Sequence, residues 1–226
     1  MDNFQQTRVY IPVDRRGLFM ALTVSLTVIV MALVTTAFWT ASWMVFDDGS
    51  RVFPKPVMPF KLPFHKLGLW DICFRLYQPG NPWARYSVLC ELMVKMPDFK
   101  ASVPGFLIAV EIFYTIGFIA GAIGSITVIC TIIYGESYRL LRAIGSLFII
   151  SGFLICLALI IFAACFNNRN TDNRMFQWEE HLQLGWSFWV AVGGGVSLWF
   201  CGGCYFHECR LLAHRLRNSL VTKIIC

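Results

Sequence analysis

Charged residues leave four long gaps along this chain of 226 residues. Between Arg16 and Asp47 lie thirty uncharged residues, beginning GLFMALTVSLTVIVMALVTTAFW. Glu111 is followed by IFYTIGFIAGAIGSITVICTIIYG, twenty-four residues. Arg142 is followed by AIGSLFIISGFLICLALIIFAACFNN, and His181 by LQLGWSFWVAVGGGVSLWFCGGCYFH, twenty-six residues each. A helix needs about 20 apolar residues to cross the hydrocarbon of a bilayer. In lipid the backbone must satisfy its own hydrogen bonds, so each run predicts a transmembrane helix. The expected spans are 17–43, 104–134, 143–166 and 184–206, with loops at 44–103 and 167–183 and a tail at 207–226, all in one domain, 1–226. The first run exceeds the ~7–15 apolar residues of a cleavable signal peptide and reads as an uncleaved anchor.

The first loop is too long for a mere connector. It contains RVFPKPVMPFKL, GLWDICFRLY and ARYSVLCELMV, punctuated by Pro54, Pro56, Pro59, Pro63, Pro79 and Pro82. That pattern predicts a few short strands and turns, a small sheet resting on the membrane surface. Proline confines such strands to edges or breaks them.

Composition agrees with a membrane protein. The chain is 57% hydrophobic and 14% charged, where soluble domains carry about 25% charged residues. The net charge of +6 is explained by cytoplasmic loops and anionic headgroups, without a nucleic-acid partner. Four spans put both termini on one side. Arg8, Arg15, Arg16, Arg139, Arg142, Arg210, Arg215, Arg217 and Lys223 fall on the side of the termini, in segments little more than half as long as the opposite loops, which hold ten basic residues. The density places the termini in the cytoplasm and the first loop outside a plasma membrane.

Cysteine placement fits that orientation. Cys73 and Cys90 both lie in the first loop, as a disulfide in an oxidising compartment requires. The sixteen residues between them would make such a bridge worth about 3 kcal/mol in the loop-entropy account. Cys130, Cys156 and Cys165 read as buried thiols. Cys201, Cys204 and Cys209 cluster near the inner end of the fourth span. Either they pack as small polarisable side chains, or they accept palmitate. Cys201 and Cys204 have the spacing of a metal pair, but no second pair accompanies them.

Trp43, then Gly68-Leu69-Trp70, then Cys73 and Cys90, resembles the first-loop signature of the claudin superfamily. That group includes claudins, peripheral myelin proteins, lens and epithelial membrane proteins, and the channel gamma and receptor auxiliary subunits. ELMVKMPDFKASVPGFLIAVE after Cys90 resembles the stretch leading into the family's second span, with Met96-Pro97 where Leu-Pro is usual. Leu184-Gly185-Trp186 is similar to the family's approach to the fourth. The wide cysteine spacing, the distance from Trp43 to Trp70, and the lack of a basic residue in SVPGFLIAVE depart from true claudins and resemble divergent invertebrate claudin-like proteins, the nematode group included. The resemblance implies an all-α membrane protein, a left-handed four-helix bundle carrying a small extracellular β-sheet built mainly by the first loop and pinned by a Cys73–Cys90 disulfide. Trp70 would pack where sheet meets bundle, with its N–H seeking a carbonyl there.

Other features keep two readings each. Glu111, about two turns into the second span, is either a structural group or an intramembrane contact to an ion or partner. Gly117, Gly121 and Gly124, with Gly193-Gly194-Gly195 and Gly202-Gly203, serve packing within the bundle or a dimer face. Arg210, His214 and Arg217 predict a short juxtamembrane helix on the inner leaflet or a solvated tail. Ile224-Ile225-Cys226 is a loose match to a PDZ ligand. His65, His181, His207 and His214 are scattered, and no catalytic, cofactor-binding or metal constellation emerges, so a non-enzymatic protein is expected. The resemblance implies a protein of cell–cell contacts that self-associates, or pairs with related tetraspans, in adhesion or a paracellular barrier. The alternative is an auxiliary subunit of an ion channel or receptor. Were the first loop to line a pore, its eight basic residues, Lys61 and Lys66 among them, against five acidic ones would favour anions.

Overall fold

The computed structural model describes residues 15–46, 64–76, 87–92, 105–135, 137–167 and 182–225. Among them the chain forms α1 (Arg15–Trp39), β1 (Met44–Phe46), β2 (Phe64–Leu67), β3 (Asp71–Leu76), β4 (Ser87–Leu92), α2 (Gly105–Tyr134), α3 (Tyr138–Asn167), β5 (Leu182–Leu184) and α4 (Trp186–Ile225). All four helices are long and apolar enough to cross a membrane. The RVFPKPVMPFKL stretch, most of the second loop and Cys226 lie outside the described residues.

The bundle is apolar on the outside and small or polar within. On α2, Ile108, Ile112, Ile116, Ile119, Ile123 and Ile126 are each about half exposed or more. Gly117, Gly121 and Gly124 are buried on the opposite face. In water such a surface would be a large apolar patch; in a bilayer it is the lipid face. Hydrophobic burial cannot drive helices together in lipid, so close backbone approach must. A Cβ at Gly117 would meet Ile155 at 2.9 Å, and one at Gly121 would meet Ser151 Oγ at 2.9 Å. The Ser151 hydroxyl donates to the Gly117 carbonyl at 2.6 Å, joining α3 to α2. Gly145 and Gly152 of α3 likewise meet Gly202 and Gly195 of α4, carbonyl against Cα. These glycines serve packing within one bundle; Gly193 and Gly203 alone of the fourth-span set have open space around them.

Buried hydroxyls return their protons to carbonyls one turn back, as a dry interior demands. Thr23 donates to Phe19 and Thr27 to Thr23. Thr27 also meets the Tyr205 hydroxyl at 3.3 Å, tying α1 to α4. Between α2 and α3 the chain turns at Gly135, whose φ of +95° is a conformation only glycine adopts cheaply. Its N–H closes on the Thr131 carbonyl, capping the helix.

The sheet has five antiparallel strands in the order β4-β3-β2-β1-β5. Two of the three expected strand-forming stretches in the first loop supply β3 and β4. The pair at one edge, β1 and β5, comes from ends expected to be helical or loop. The first helix stops at Trp39, four residues short of the expected boundary at residue 43, and the chain turns so that residues 44–46 can pair with Leu182–Leu184. The fourth helix begins at Trp186 rather than residue 184 for the same reason, and it runs unbroken for 40 residues. That length is about 60 Å, against a hydrocarbon core of about 30 Å. The tail therefore continues the span as one helix instead of forming a separate short helix.

Two glycines hold the α1–β1 elbow from opposite sides. A Cβ on Gly68 would lie 2.7 Å from Ala41 Cα and 2.8 Å from the Thr40 oxygen; one on Gly185 would collide with the Ser42 carbonyl. Each obstacle is backbone and cannot swing aside. Gly68→Ala and Gly185→Ala are therefore expected to destabilise the protein by about 1–3 kcal/mol each, read as a lowered unfolding midpoint in detergent. Gly193→Ala, in open space on a helix, should be neutral or slightly stabilising. Equal midpoints for Gly185→Ala and Gly193→Ala would contradict this packing.

Candidate functional site

The sheet is joined to the bundle through Trp43. Leaving α1, the chain folds this residue beneath the sheet, where it is fully buried. Its ring packs edge-on against Tyr114 of α2 (5.4 Å), Phe162 of α3 (5.3 Å) and Phe188 of α4 (6.1 Å). Its indole N–H donates to the Ala37 carbonyl of α1 at 2.7 Å. The last four carbonyls of a helix lack partners within it, so this bond also caps α1. One side chain thus touches all four helices. The main chain at the same position binds the sheet: Trp43 N–H donates to the Leu67 carbonyl at 2.9 Å, and Gly185 N–H donates to the Trp43 carbonyl at 2.8 Å. Thr40 and Ser187 join their hydroxyls at 2.8 Å, closing α1 onto α4 below.

The Gly68-Leu69-Trp70 turn lies directly above. Gly68 N–H donates to the Asp71 carbonyl at 2.8 Å, and Leu69 is buried. Beyond the turn, Cys73 on β3 stands opposite Cys90 on β4, and the two form a disulfide with Cα atoms 4.0 Å apart. The bridge fixes the β3–β4 strand pair, and Cys73 itself is buried.

Trp70 corrects one expectation. Its ring does pack at the junction, edge-on to Phe38 at 5.3 Å. Its buried Nε1 finds no hydrogen-bond partner among the described residues. The indole that reaches a carbonyl is Trp43, which an end-of-helix placement could not have suggested. Glu111 is partly buried on α2, one turn from Tyr114, and its backbone carbonyl accepts from Thr115.

The fourth-span cysteines divide. Cys201 and Cys209 are buried, and Cys204 is partly open. The Cys209 thiol faces the Tyr138 carbonyl at 3.6 Å. Burial leaves Cys204 the accessible thiol of the three for an acyl chain. Cys130, Cys156 and Cys165, read as buried, are only partly so. No three His, Cys, Asp or Glu side chains come together as a metal site among the described residues. Arg210, His214 and Arg217 are exposed on the far extension of α4, whereas Glu208 between them and the span is buried.

The whole constellation, from the Trp43 elbow to the cysteine-braced strands and the Leu184-Gly185-Trp186 approach, falls inside one conserved-family description. A family model described as PMP-22/EMP/MP20/Claudin tight junction matches residues 28–206. The chain belongs to the PMP-22/EMP/MP20/Claudin family. No curated protein matches it. The match runs from the middle of α1 to the Phe206 turn of α4 and takes in the sheet and all four spans. Claudin-family membership makes the chain a multi-pass tetraspan membrane protein. It points to a structural or channel-related protein, and to self-association or contact with related tetraspans, rather than to enzymatic chemistry.

Sequence reasoning missed the three aromatic rings around Trp43 and the role of Gly185. A weak signal existed, because Leu107, Val110, Tyr114, Gly117, Gly121 and Gly124 recur three and four apart and mark the inward face. In the folded protein a membrane-permeant maleimide is expected to modify Cys204 well before Cys201 and Cys209, measured by peptide mass spectrometry. Cys73 and Cys90 should react only after reduction. Equal rates across the three fourth-span thiols would contradict their placement.

Proposed function

We propose that this claudin-family protein acts at cell–cell contacts of the plasma membrane, in adhesion or a paracellular barrier, with both termini cytoplasmic and the sheet outside. The observation that carries the reading is the braced sheet: five strands, locked by Cys73–Cys90 and seated through Trp43 on every helix of the bundle. A sheet held so firmly is a stiff platform for meeting an opposing surface, because little ordering remains to be done on binding. The disulfide supports an outward sheet, since such bonds persist in oxidising compartments. Arg139 and Arg142 at the start of α3, and Arg210 and Arg217 beyond the span of α4, support an inward opposite end.

Expression in cells that do not adhere to one another tests the reading. Accumulation is expected at borders between two expressing cells and not at borders with non-expressing neighbours. The double variant Cys73→Ser/Cys90→Ser should reach the surface and lose at least most of that enrichment. Uniform surface distribution of the native chain would contradict the contact role, and a stoichiometric channel or receptor recovered with it on gentle solubilisation would establish the accessory-subunit reading instead.

A further inference from the structure

The two membrane surfaces can be located along the helices. Trp39, Trp186 and Trp189 are exposed at the sheet end, where an aromatic belt marks a membrane–water boundary. A hydrocarbon core of about 30 Å takes about 20 helical residues, so the far boundary on α4 falls near Phe206. Contacts between α3 and α4 carry that level across. The Cys209 thiol faces the Tyr138 carbonyl at 3.6 Å. A Cβ on Gly145 would meet the Phe206 ring at 3.0 Å and the Gly202 carbonyl at 3.2 Å. Arg139 and Arg142 lie between these two contacts on α3, and Arg210 adjoins the first on α4. All three arginines are exposed, and all three stand at the depth of the headgroups opposite the sheet.

They also share one side of the helix pair. The contacts pair Tyr138 with Cys209, Gly145 with Gly202 and Gly152 with Gly195, so α3 and α4 run antiparallel. In such a pair, the residues that follow two facing positions turn to the same side. Arg139 and Arg210 follow Tyr138 and Cys209. Arg142 lies about 60° from Arg139 around α3, toward α4. The same side carries exposed Ile149 and Phe153 of α3 and exposed Trp199 of α4, and the Trp199 indole N–H crosses the pair to the Ile149 carbonyl at 3.2 Å. Glu208, by contrast, is buried, about 160° around α4 from Arg210. Glu136 of the α2–α3 turn is one carboxylate against three guanidinium groups.

Arg139 stands in the first turn of α3, which holds no acidic residue. The helix dipole disfavours a cation there and favours an anion. Guanidinium forks match phosphate oxygens two at a time, and basic clusters between spans suit multiply phosphorylated headgroups. We propose that Arg139, Arg142 and Arg210 bind the headgroup of one phosphoinositide in the leaflet opposite the sheet. Its acyl chains lie over Ile149, Phe153 and Trp199, which are exposed and require no cavity to open. A singly charged headgroup would leave guanidinium charge unmatched. That this leaflet is the cytoplasmic one rests on the orientation proposed above; the site itself does not.

Native mass spectrometry of the full chain in detergent, titrated separately with phosphatidylinositol 4,5-bisphosphate, phosphatidylserine and phosphatidylcholine, tests the proposal. One bisphosphate lipid should bind per chain, more tightly than phosphatidylserine, with phosphatidylcholine weakest. Arg139→Gln, Arg142→Gln and Arg210→Gln should each weaken that binding about fivefold, the worth of one basic side chain near an anionic surface. Arg217→Gln, about 10 Å further along α4, should leave it unchanged. The three site variants alter exposed side chains, and any one of them that stays monodisperse suffices. Equal affinity for phosphatidylserine, or an equal loss in Arg217→Gln and Arg210→Gln, would overturn the site in favour of diffuse attraction to a basic tail. Displacement of the lipid by an equimolar amount of soluble inositol 1,4,5-trisphosphate would overturn the role given to the acyl chains. No binding to a monodisperse protein would overturn the whole. None of these outcomes depends on whether the protein acts at cell contacts.

Discussion

Everything at the sheet end depends on one indole. The side chain of Trp43 reaches all four helices, and its backbone is paired on one side with β2 and on the other with Gly185. Its N–H answers the first structural problem of a helix that stops at the membrane surface, an orphan carbonyl in the last turn. Its ring answers the second, the filling of the space where four diverging helices meet a flat sheet. The sheet is consequently part of the bundle's core, and Met44, Leu67, Leu69 and Ile72 are buried in the same cluster as Tyr114, Phe162 and Phe188.

Below that point the packing follows the logic of a lipid solvent. Isoleucines cover the outer face of α2 and glycines its inner face, the reverse of a soluble amphipathic helix. With apolar burial unavailable as a driving force, contact is won by removing side chains at Gly117, Gly145, Gly152, Gly195 and Gly202, and by interhelical hydrogen bonds from Ser151 and between Thr27 and Tyr205. α1 closes onto α4 through Thr40–Ser187 and Thr27–Tyr205 and meets α2 through Phe38 and the hydrogen bond from the Tyr114 hydroxyl to the Val34 carbonyl.

The spans were legible because charge-free length is a strong signal in a membrane protein, and the Cys73–Cys90 pairing because two cysteines in one polar loop leave few alternatives. The sheet was half legible. β3 and β4 announce themselves by β-branched and aromatic residues near turns, whereas β1 and β5 are three residues each and adjoin long apolar helices whose hydropathy swamps them. That same merging set Trp43, already singled out by the signature, at the end of a span, whereas it is the last residue of the elbow before β1. The close approach at Gly185 is invisible in one dimension, since it presses on a segment far away in the chain, whereas a glycine in the signature turn already suggests the one at Gly68. Glu111 stood out as a carboxylate within a span, and the structure places it partly buried on α2.

Sheet and bundle forming one cooperative unit through Trp43 is the central claim. Hydrogen–deuterium exchange of Trp43→Leu in detergent, resolved by peptide, tests it most directly. Protection should fall together in the last turn of α1, in β1 and β2, and at the start of α4, while the glycine-packed α2–α3 interface stays protected. Loss confined to the last turn of α1, with β1, β2 and the start of α4 exchanging as in the native chain, would show that the sheet stands on the bundle without Trp43 and would contradict the account.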